Sequence, residues 1–371
     1  MGSIYLMGSP GSGKTALAAG LALKARELKL KVAYFKPVGA SPGPARAEDE
    51  DAVLMKALLG MDLSPQDMVL HAPGPHYLSR CQQPGDYLEA VRERYARLAQ
   101  GMDGVIVGGA PWPFAMAGLG LAAVDVARGL GSRVVIVQRI ESDLSLDSVV
   151  MYSEWARGAG VPVLGAVFNH VPPTLMERCR GVFLPCLERR GIRVLGIIPL
   201  RAEISYPTVG EYYEVLGGEL LTGAQGLDRV VEDILVGAMT QESVLQYFRR
   251  APNKAVITGG DRTDVAMAAL ETSTSVLILT GGLYPNVRVV GRAQEKQVPV
   301  ILVKEDTYTA IERLHLVSRK IRPSDTVGIE TALKMVEEHC DWRTILDALR
   351  APDGSLEGRP QDSRPPSPKQ A

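Results

Sequence analysis

The sequence has few aromatic residues, few cysteines and almost no net charge. Aromatic residues make up 5% of the 371 residues, and 41 Lys and Arg nearly balance 42 Asp and Glu, for a formal charge of -1. This balance argues against bulk electrostatic binding to nucleic acid or to anionic lipid. No uninterrupted apolar run reaches about 18 residues, so no transmembrane helix is predicted and neither nucleic acid nor membrane is expected as a partner.

The four cysteines are too scattered to suggest a metal cage. They are Cys81, Cys179, Cys186 and Cys340, and no two of them form a Cys-x-x-Cys pair. The five histidines are also scattered, which favours structural or solvent-facing roles over metal binding. The short apolar start is followed at once by a glycine-rich loop, so it does not have the form of a signal peptide. A reduced, cytoplasmic protein is therefore predicted.

Glycine, in contrast, is abundant at 38 residues, which suggests tight turns and close backbone approaches. The first ~200 residues alternate short apolar runs with helical stretches, and such continuous runs are typical of strands buried on both faces of a parallel sheet. This alternation predicts a doubly wound α/β sheet. The predicted strands are 3–7, 32–35, 105–107, 134–137, 163–168 and 194–198, with helices at 15–28, 86–98 and 144–157.

A second, smaller α/β unit is predicted after a glycine-rich stretch at 209–226. Its strands are predicted at 230–236, 255–258, 276–279 and 300–303, and its helices at 241–249, 264–270, 287–296 and 307–314. One or two helices are expected over 327–349, and the polar end of the chain is expected to be disordered. The predicted organisation is a P-loop domain at 1–201, a second domain at 202–314, a helical segment at 315–350 and a tail at 351–371.

One motif is complete and stands in the right context. The segment Gly8, Ser9, Pro10, Gly11, Ser12, Gly13, Lys14, Thr15 matches G-x-x-x-x-G-K-[ST], between a predicted strand and a predicted helix, as a P-loop requires. Its backbone N–H groups and the helix N-terminus would bind phosphate, Lys14 would reach the terminal phosphates, and the Thr15 hydroxyl could ligate Mg²⁺. ATP with Mg²⁺ is the predicted cofactor; a glycine-rich turn that serves only tight packing is the alternative.

A second cation follows the next predicted strand, in the sequence Tyr34-Phe35-Lys36-Pro37-Val38. A lysine at the carboxyl end of a strand beside the P-loop strand points into the ligand crevice of an open α/β sheet. A surface lysine that extends into solvent is the alternative.

Here the sequence resembles the dethiobiotin synthetase-like P-loop family, which includes the N-terminal domain of long phosphate acetyltransferases. The resemblance covers about residues 1 to 200 and rests on the P-loop, Lys36-Pro37-Val38, Asp51, Gly165 to Asn169, and Leu195 to Pro199. It implies that Lys36 contacts substrate and the transferring phosphate, that Asp51 helps to hold Mg²⁺, and that Asn169 contacts the adenine base. It also implies a homodimer.

The residues leave some of these roles open. Asn169 could instead form an Asx turn, and Asp51 could belong to a solvated helix start. The family usually has a glutamate at the end of its third strand, but here Gly108-Gly109 stands there. Glu141 or Asp143 could substitute for it.

The aromatic residues after that strand, Trp112 and Phe114, could cover a ligand, although packing is the favoured interpretation.

The second unit contains Gly260-Asp261-Arg262-Thr263 after one predicted strand and Thr280-Gly281-Gly282 after the next. Through these residues it resembles the DRTGG domain, and the resemblance implies a regulatory or oligomerising role. In principle its polar loops could form a small-ligand crevice at one end of a parallel sheet, and helix capping is the alternative. The candidate ligand residues are Gly260, Asp261, Arg262, Thr263, Thr280, Gly281 and Gly282.

Two functions follow from these features. One is an ATP-dependent enzyme, an ATPase or ligase, in which Lys14, Lys36 and Asp51 act on the nucleotide and its metal. The other is a non-catalytic, nucleotide-responsive regulator or scaffold of acetyl-phosphate or acetyl-CoA metabolism. The length left after the DRTGG-like region is far below that of an acetyltransferase domain, so this chain acting alone is not expected to transfer acetyl groups to phosphate.

Overall fold

The fold is taken from a computed structural model of the chain, which describes residues 2–39, 48–72, 74, 76–80, 87–315, 317 and 319–350. The tail predicted to be disordered, 351–371, lies outside these residues. The chain divides into two compact units, Met1–Arg201 with Ile321–Ala371, and Ala202–Lys320. Each unit is considered by itself below.

The strands of the described residues fall into two sheets. They are β1 (Gly2–Met7), β2 (Val32–Val38), β3 (Val69–His71), β4 (Gly104–Gly108), β5 (Arg133–Arg139), β6 (Val163–Val171), β7 (Val194–Pro199), β8 (Glu219–Thr222), β9 (Asp233–Val236), β10 (Lys254–Gly259), β11 (Thr274–Thr280) and β12 (Val300–Leu302). The first sheet has the order β3-β2-β4-β1-β5-β6-β7 and the second the order β8-β12-β11-β10-β9.

The α-helices of the same residues connect and cover the strands. They are α1 (Lys14–Glu27), α2 (Glu50–Leu59), α3 (Pro65–Met68), α4 (Tyr87–Ala99), α5 (Ala123–Gly129), α6 (Asp143–Gly158), α7 (Pro173–Arg178), α8 (Leu184–Glu188), α9 (Ala202–Ser205), α10 (Val209–Leu216), α11 (Gln241–Phe248), α12 (Thr263–Leu270), α13 (Val287–Glu295), α14 (Thr307–His315), α15 (Thr326–His339) and α16 (Trp342–Arg350).

The first sheet is parallel at each of its described strand pairings. Every residue of β1, β2 and β4 is buried, which explains why these strands read as continuous apolar runs. Strands β2, β3 and β4 lie on one side of β1 and strands β5, β6 and β7 on the other. Such a reversal of strand order places the crevice of an open α/β sheet at the carboxyl ends of its strands, where the glycine-rich loop begins. The predicted fold class, a doubly wound parallel sheet with a second, smaller α/β domain, is confirmed.

The two C-terminal helices pack on the first unit. A Cβ on Gly20 of α1 would lie 2.5 Å from Cγ2 of Val336 on α15, so the two helices approach closely. The buried Lys24 donates to Glu337 over 3.0 Å, and its ammonium lies 5.0 Å from the centre of the Trp342 ring. The helical segment at 326–350 therefore completes the first unit rather than forming a separate layer.

The second sheet is mixed. Strands β9 to β12 pair in parallel, and β8 pairs antiparallel with β12 at one edge. The stretch that reads as glycine-rich contains α10 and β8, and α10 begins with a capping box between Thr208 and Glu211. The predicted strand at 230–236 is shorter in the structure and covers only the residues of β9.

Candidate functional site

The glycine-rich loop joins β1 to α1 at the carboxyl edge of the first sheet. Gly13 directly precedes α1 with a φ of 87°, a left-handed conformation that favours glycine. The Nζ of Lys14 donates to the carbonyl oxygens of Gly8 over 2.7 Å and Ser9 over 2.9 Å. Desolvation lowers the pKa of Lys14 to about 7, although Asp51 opposes this shift. Placed at a helix N-terminus, the loop and its lysine form the arrangement that binds phosphate.

Asn169, at the end of β6, holds this loop in place. A Cβ at Gly13 would lie 2.0 Å from Asn169 Nδ2, so no larger residue fits there. The same Nδ2 donates to the backbone oxygen of Ser12 over 2.9 Å, and Oδ1 accepts the N–H of His170 over 2.9 Å. The amide that the resemblance assigns to adenine is thus engaged with the loop, and its contact with a base stays a prediction.

A compact charge cluster lies beside the loop. The buried Lys36 reaches Asp49 Oδ2 over 2.8 Å and Asp51 Oδ2 over 2.5 Å. Thr15 Oγ1 donates to Asp51 Oδ1 over 2.8 Å. Strand β2 supplies the lysine, the start of α2 supplies both carboxylates and α1 supplies Thr15, so three separate elements meet at this point.

The charges of this cluster stabilise each other. Burial opposes the charge of Lys36, but Asp51 and Asp49 outweigh it and raise its pKa. Burial would likewise raise the pKa of Asp51, but the nearby Lys36 and the hydroxyl of Thr15 hold it below the usual range. Both groups are therefore ionised at neutral pH, as a site for phosphate and a metal ion requires.

Thr15 and Asp51 are chemically suited to Mg²⁺, since hydroxyl and carboxylate oxygens are the ligands that this ion prefers. Within the described parts of the chain, no three His, Cys, Asp or Glu side chains form a group that could hold a metal ion. Mg²⁺ held by Thr15 and Asp51 would neutralise the charge of a bound phosphate, and the nucleotide would supply further ligands.

The end of β4, where the resemblance leads one to expect a glutamate, is filled from the neighbouring strand. A Cβ on Gly108 would lie 2.1 Å from Tyr34 Oη and 2.7 Å from Tyr34 Cζ, so any side chain there would collide with the tyrosine. Burial and the nearby Asp51 and Asp49 raise the pKa of Tyr34 well above its usual value, so the hydroxyl stays protonated. A neutral hydroxyl thus stands where a carboxylate was expected.

The two acids considered as substitutes are paired elsewhere. Arg139 Nε lies 2.8 Å from Glu141, and Arg178 binds both oxygens of Asp143 over 2.8 and 2.6 Å. Both carboxylate side chains are about two-thirds exposed, at 68% and 65%. The acid that the structure does add to the charge cluster is Asp49.

Sequence reasoning missed three residues of this region. Asp49 caps α2 by accepting from the N–H groups of Asp51 and Ala52, and an acidic residue two positions before Asp51 was the available signal. Tyr34 gave no signal, because a tyrosine inside a strand is ordinary. His170 is buried against the loop with a φ of 51°; burial and Arg139 lower its pKa to about 4.

The aromatic pair after β4 is exposed. Trp112 and Phe114 stack on each other with their ring centres 5.6 Å apart, and they are 49% and 60% exposed. Neither is buried in the core, and a role in covering a ligand stays a prediction.

The loops at the carboxyl edge of the second sheet form hydrogen bonds mainly with each other. Arg262 binds Asp264 over 3.0 Å and the carbonyl of Met239 over 2.9 Å. Thr280 shares a hydrogen bond of 2.8 Å with Thr307. The N–H groups of the three candidate glycines donate to backbone carbonyls, namely Gly260 to Thr280, Gly281 to Glu305 and Gly282 to Val303.

Comparison with known proteins agrees with this geometry. A family model described as an AAA domain matches residues 4–208, which is more than half of the chain. The chain belongs to this family. A second model, the DRTGG domain, matches residues 211–317. The resemblance to a dethiobiotin synthetase-like P-loop domain followed by a DRTGG domain is therefore confirmed, and the P-loop of this AAA domain supports nucleotide binding.

The phosphate acetyltransferases that this chain matches are longer than it is. The phosphate acetyltransferase of Nitratidesulfovibrio vulgaris is 28% identical over 357 residues, which cover 89% of this chain and 49% of that protein. The chain spans about half the length of the phosphate acetyltransferases that it matches.

Two solved structures are similar to parts of the chain at low identity. MinD of Pyrococcus horikoshii, complexed with Mg-ADP, is 17% identical with a TM-score of 0.36, over 55% of this chain and 83% of that one. The CBS and DRTGG domains of the Clostridium perfringens pyrophosphatase are 15% identical with a TM-score of 0.28, over 45% and 85% of the two chains.

Among the described residues, no helix of this AAA domain chain is both long and apolar enough to span a membrane.

Proposed function

We propose that this chain is a nucleotide-responsive regulatory protein, which binds ATP with Mg²⁺ at the P-loop and turns it over slowly or not at all. Lys14 and Lys36 neutralise the phosphates. Thr15 and Asp51, whose Oγ1 and Oδ1 atoms lie 2.8 Å apart, hold the ion. Binding then shifts the stability or the assembly of the chain, which the DRTGG domain would transmit.

The observation that carries this proposal is the collision at the end of β4. Phosphoryl transfer depends on positioning and charge neutralisation, and a second carboxylate at that strand end would contribute to both. With Tyr34 Oη 2.1 Å from the position of a Cβ on Gly108, the chain holds no room for that acid. The phosphate-binding groups are thus present while one metal-positioning group is replaced by a neutral hydroxyl.

The relatives suggest what is regulated. Because the similarity to the phosphate acetyltransferase of Nitratidesulfovibrio vulgaris covers 89% of this chain, we propose an enzyme of acetyl-phosphate metabolism as the partner. Nucleotide-dependent assembly, including a homodimer, is measured by sedimentation of the chain with and without ATP.

The decisive test compares binding with turnover. ATP with Mg²⁺ is titrated calorimetrically into the wild type and Lys14→Ala, and ADP release is measured for both. We expect binding by the wild type only, with ADP release no faster than that of the variant. Clear turnover by the wild type would contradict a regulatory function.

An exchange of side-chain volume between β2 and β4 tests whether the missing acid at the end of β4 limits turnover. The double variant Tyr34→Ala/Gly108→Glu makes room for the acid and restores it. We expect this variant to release ADP faster than the wild type, and Tyr34→Ala alone to give no such gain. Equal rates for all three proteins would show that the strand end does not limit turnover.

An ATP-dependent ligase is the second candidate, and the position of Lys36 favours it. A buried lysine held between Asp49 and Asp51 could orient a substrate carboxylate toward the γ-phosphate. This candidate requires ADP release that depends on an added carboxylate, so a panel of carboxylates and diamines in the same assay separates the two functions.

A further inference from the structure

A recess lies at the amino ends of the strands of the second sheet, the edge opposite to the one that the sequence singles out. Its volume is about 540 Å³, which is within the usual range of small-molecule sites. Its walls come from the segments that precede β9, β10, β11 and β12. The lining residues are Arg229, Val230, Asn253, Leu270, Glu271, Thr272, Ser273, Thr274, Ser275, Lys296 and Val298.

The charge of this lining is positive. Arg229 and Lys296 contribute two cations from different segments. Glu271 is the acid of the lining, and Arg292 neutralises it with contacts of 2.8 Å from Nε and 2.7 Å from a terminal nitrogen. An anion that enters the recess therefore meets two cations and no uncompensated carboxylate of the lining.

A third positive charge lies directly behind the wall. Lys254 is fully buried, and its ammonium donates to Thr272 Oγ1 over 2.9 Å and to the backbone oxygen of Ser273 over 2.8 Å. Within the described residues, no carboxylate lies within ion-pair distance of it. Burial lowers the pKa of Lys254 to about 8, although Asp233 on the neighbouring strand opposes this shift. An anion in the adjacent recess would add to this partial compensation of a buried charge.

The hydroxyl groups of the wall restrict which groups of the recess can bind a ligand's charge. Thr272 and Thr274 both donate to the backbone oxygen of Ala269, and Ser275 donates to that of Val230. Because these protons are directed into the protein, the ligand's charge must be met by the two cations. Leu270 and Val298 add apolar surface, which suits an organic group attached to the anion.

We propose that the second unit binds a small organic phosphate in this recess, with the phosphate held between Arg229 and Lys296. A dianionic phosphate suits two lining cations and a third behind the wall better than a monoanionic carboxylate does. This site differs from the P-loop, lies on another unit and uses the opposite edge of its sheet from the glycine loops of the DRTGG motif.

The test uses the full chain carrying Lys14→Ala, so that the P-loop contributes little. Phenyl phosphate, inorganic phosphate and benzoate are titrated calorimetrically at low salt. We expect phenyl phosphate to bind more tightly than inorganic phosphate, and benzoate to bind weakest. Arg229→Gln/Lys296→Gln should weaken phenyl phosphate binding by about tenfold or more, since it removes both lining cations.

The matched control is Arg262→Gln/Lys304→Gln, which removes two cations from the carboxyl edge of the same sheet. It should leave phenyl phosphate affinity unchanged. The proposal is overturned if the control weakens binding as much as the recess variant does, if the recess variant binds like its parent, or if benzoate matches phenyl phosphate. Absence of phenyl phosphate binding in the folded parent, verified by circular dichroism, would overturn it too.

Discussion

The carboxyl edges of the two sheets follow the same strand, glycine loop and helix pattern, but different interactions stabilise them. At the first edge, the ammonium of Lys36 is buried between Asp49 and Asp51. At the second edge, Arg262 pairs with Asp264 in solvent and the glycine N–H groups bind neighbouring carbonyls. Buried, converging charge marks the first edge as a site, whereas a glycine loop by itself satisfies its own backbone.

The largest expected effect comes from removing Lys36. Lys36→Met leaves two carboxylates without their buried partner, which should lower the free energy of unfolding by about 3–5 kcal/mol. The measurement is urea denaturation followed by tryptophan fluorescence, because Trp112, Trp155 and Trp342 all lie in the first unit. Adding Asp49→Asn and Asp51→Asn should recover much of the loss; a cost near zero in the single variant would contradict the role of the cluster.

His170 gives the first unit a pH dependence. Its pKa is about 4 in the folded chain and 6.5 as a free side chain, so between these values the unfolded state binds more protons. Stability should therefore fall as the pH drops from about 6.5 to 4, by up to about 3 kcal/mol. His170→Gln should remove this loss of stability at acidic pH. His315→Gln, at an exposed position of α14, is the control and should leave it unchanged.

The second edge should respond to backbone crowding rather than to loss of charge. A Cβ on Gly260 would lie 1.7 Å from the carbonyl oxygen of Leu283, so Gly260→Ala should cost about 1–3 kcal/mol. Hydrogen exchange of the second unit's amides measures it. Arg262→Ala, which removes an exposed ion pair and a hydrogen bond to the carbonyl of Met239, should change exchange less than Gly260→Ala does. A larger change in hydrogen exchange for Arg262→Ala than for Gly260→Ala would contradict this difference between the two edges.

The smallest expected effect concerns Lys14. Its pKa of about 7 should rise when phosphate binds, so the complex takes up a proton and affinity falls as the pH increases. We expect ATP affinity to drop about fivefold between pH 7 and pH 8, which corresponds to about 1 kcal/mol. Calorimetry in buffers of different ionisation enthalpy counts the protons. Lys14→Arg keeps its charge, so its binding should show a weaker pH dependence; equal dependence would contradict this explanation.

Much of the first unit could be predicted because its signals are local. The P-loop spacing, the buried strands and the helix predicted at 144–157, which is Asp143–Gly158 in the structure, depend on neighbours in sequence. In the second unit, α10 and β8 were not predicted because their segment was interpreted as a glycine-rich stretch. The start of α10 carries a capping box between Thr208 and Glu211. β8 pairs antiparallel at a sheet edge, and such a pairing has no signature within the strand itself.

The sequence by itself determined the P-loop, the lysine on the neighbouring strand and the family to which the chain belongs, since each follows from residue types at short, fixed spacing. Tertiary structure alone decided that Asp49 joins the charge cluster and that Tyr34 fills the end of β4. Both depend on how segments far apart in the chain meet, because a hydroxyl from one strand excludes a side chain on its neighbour only once the two strands pair.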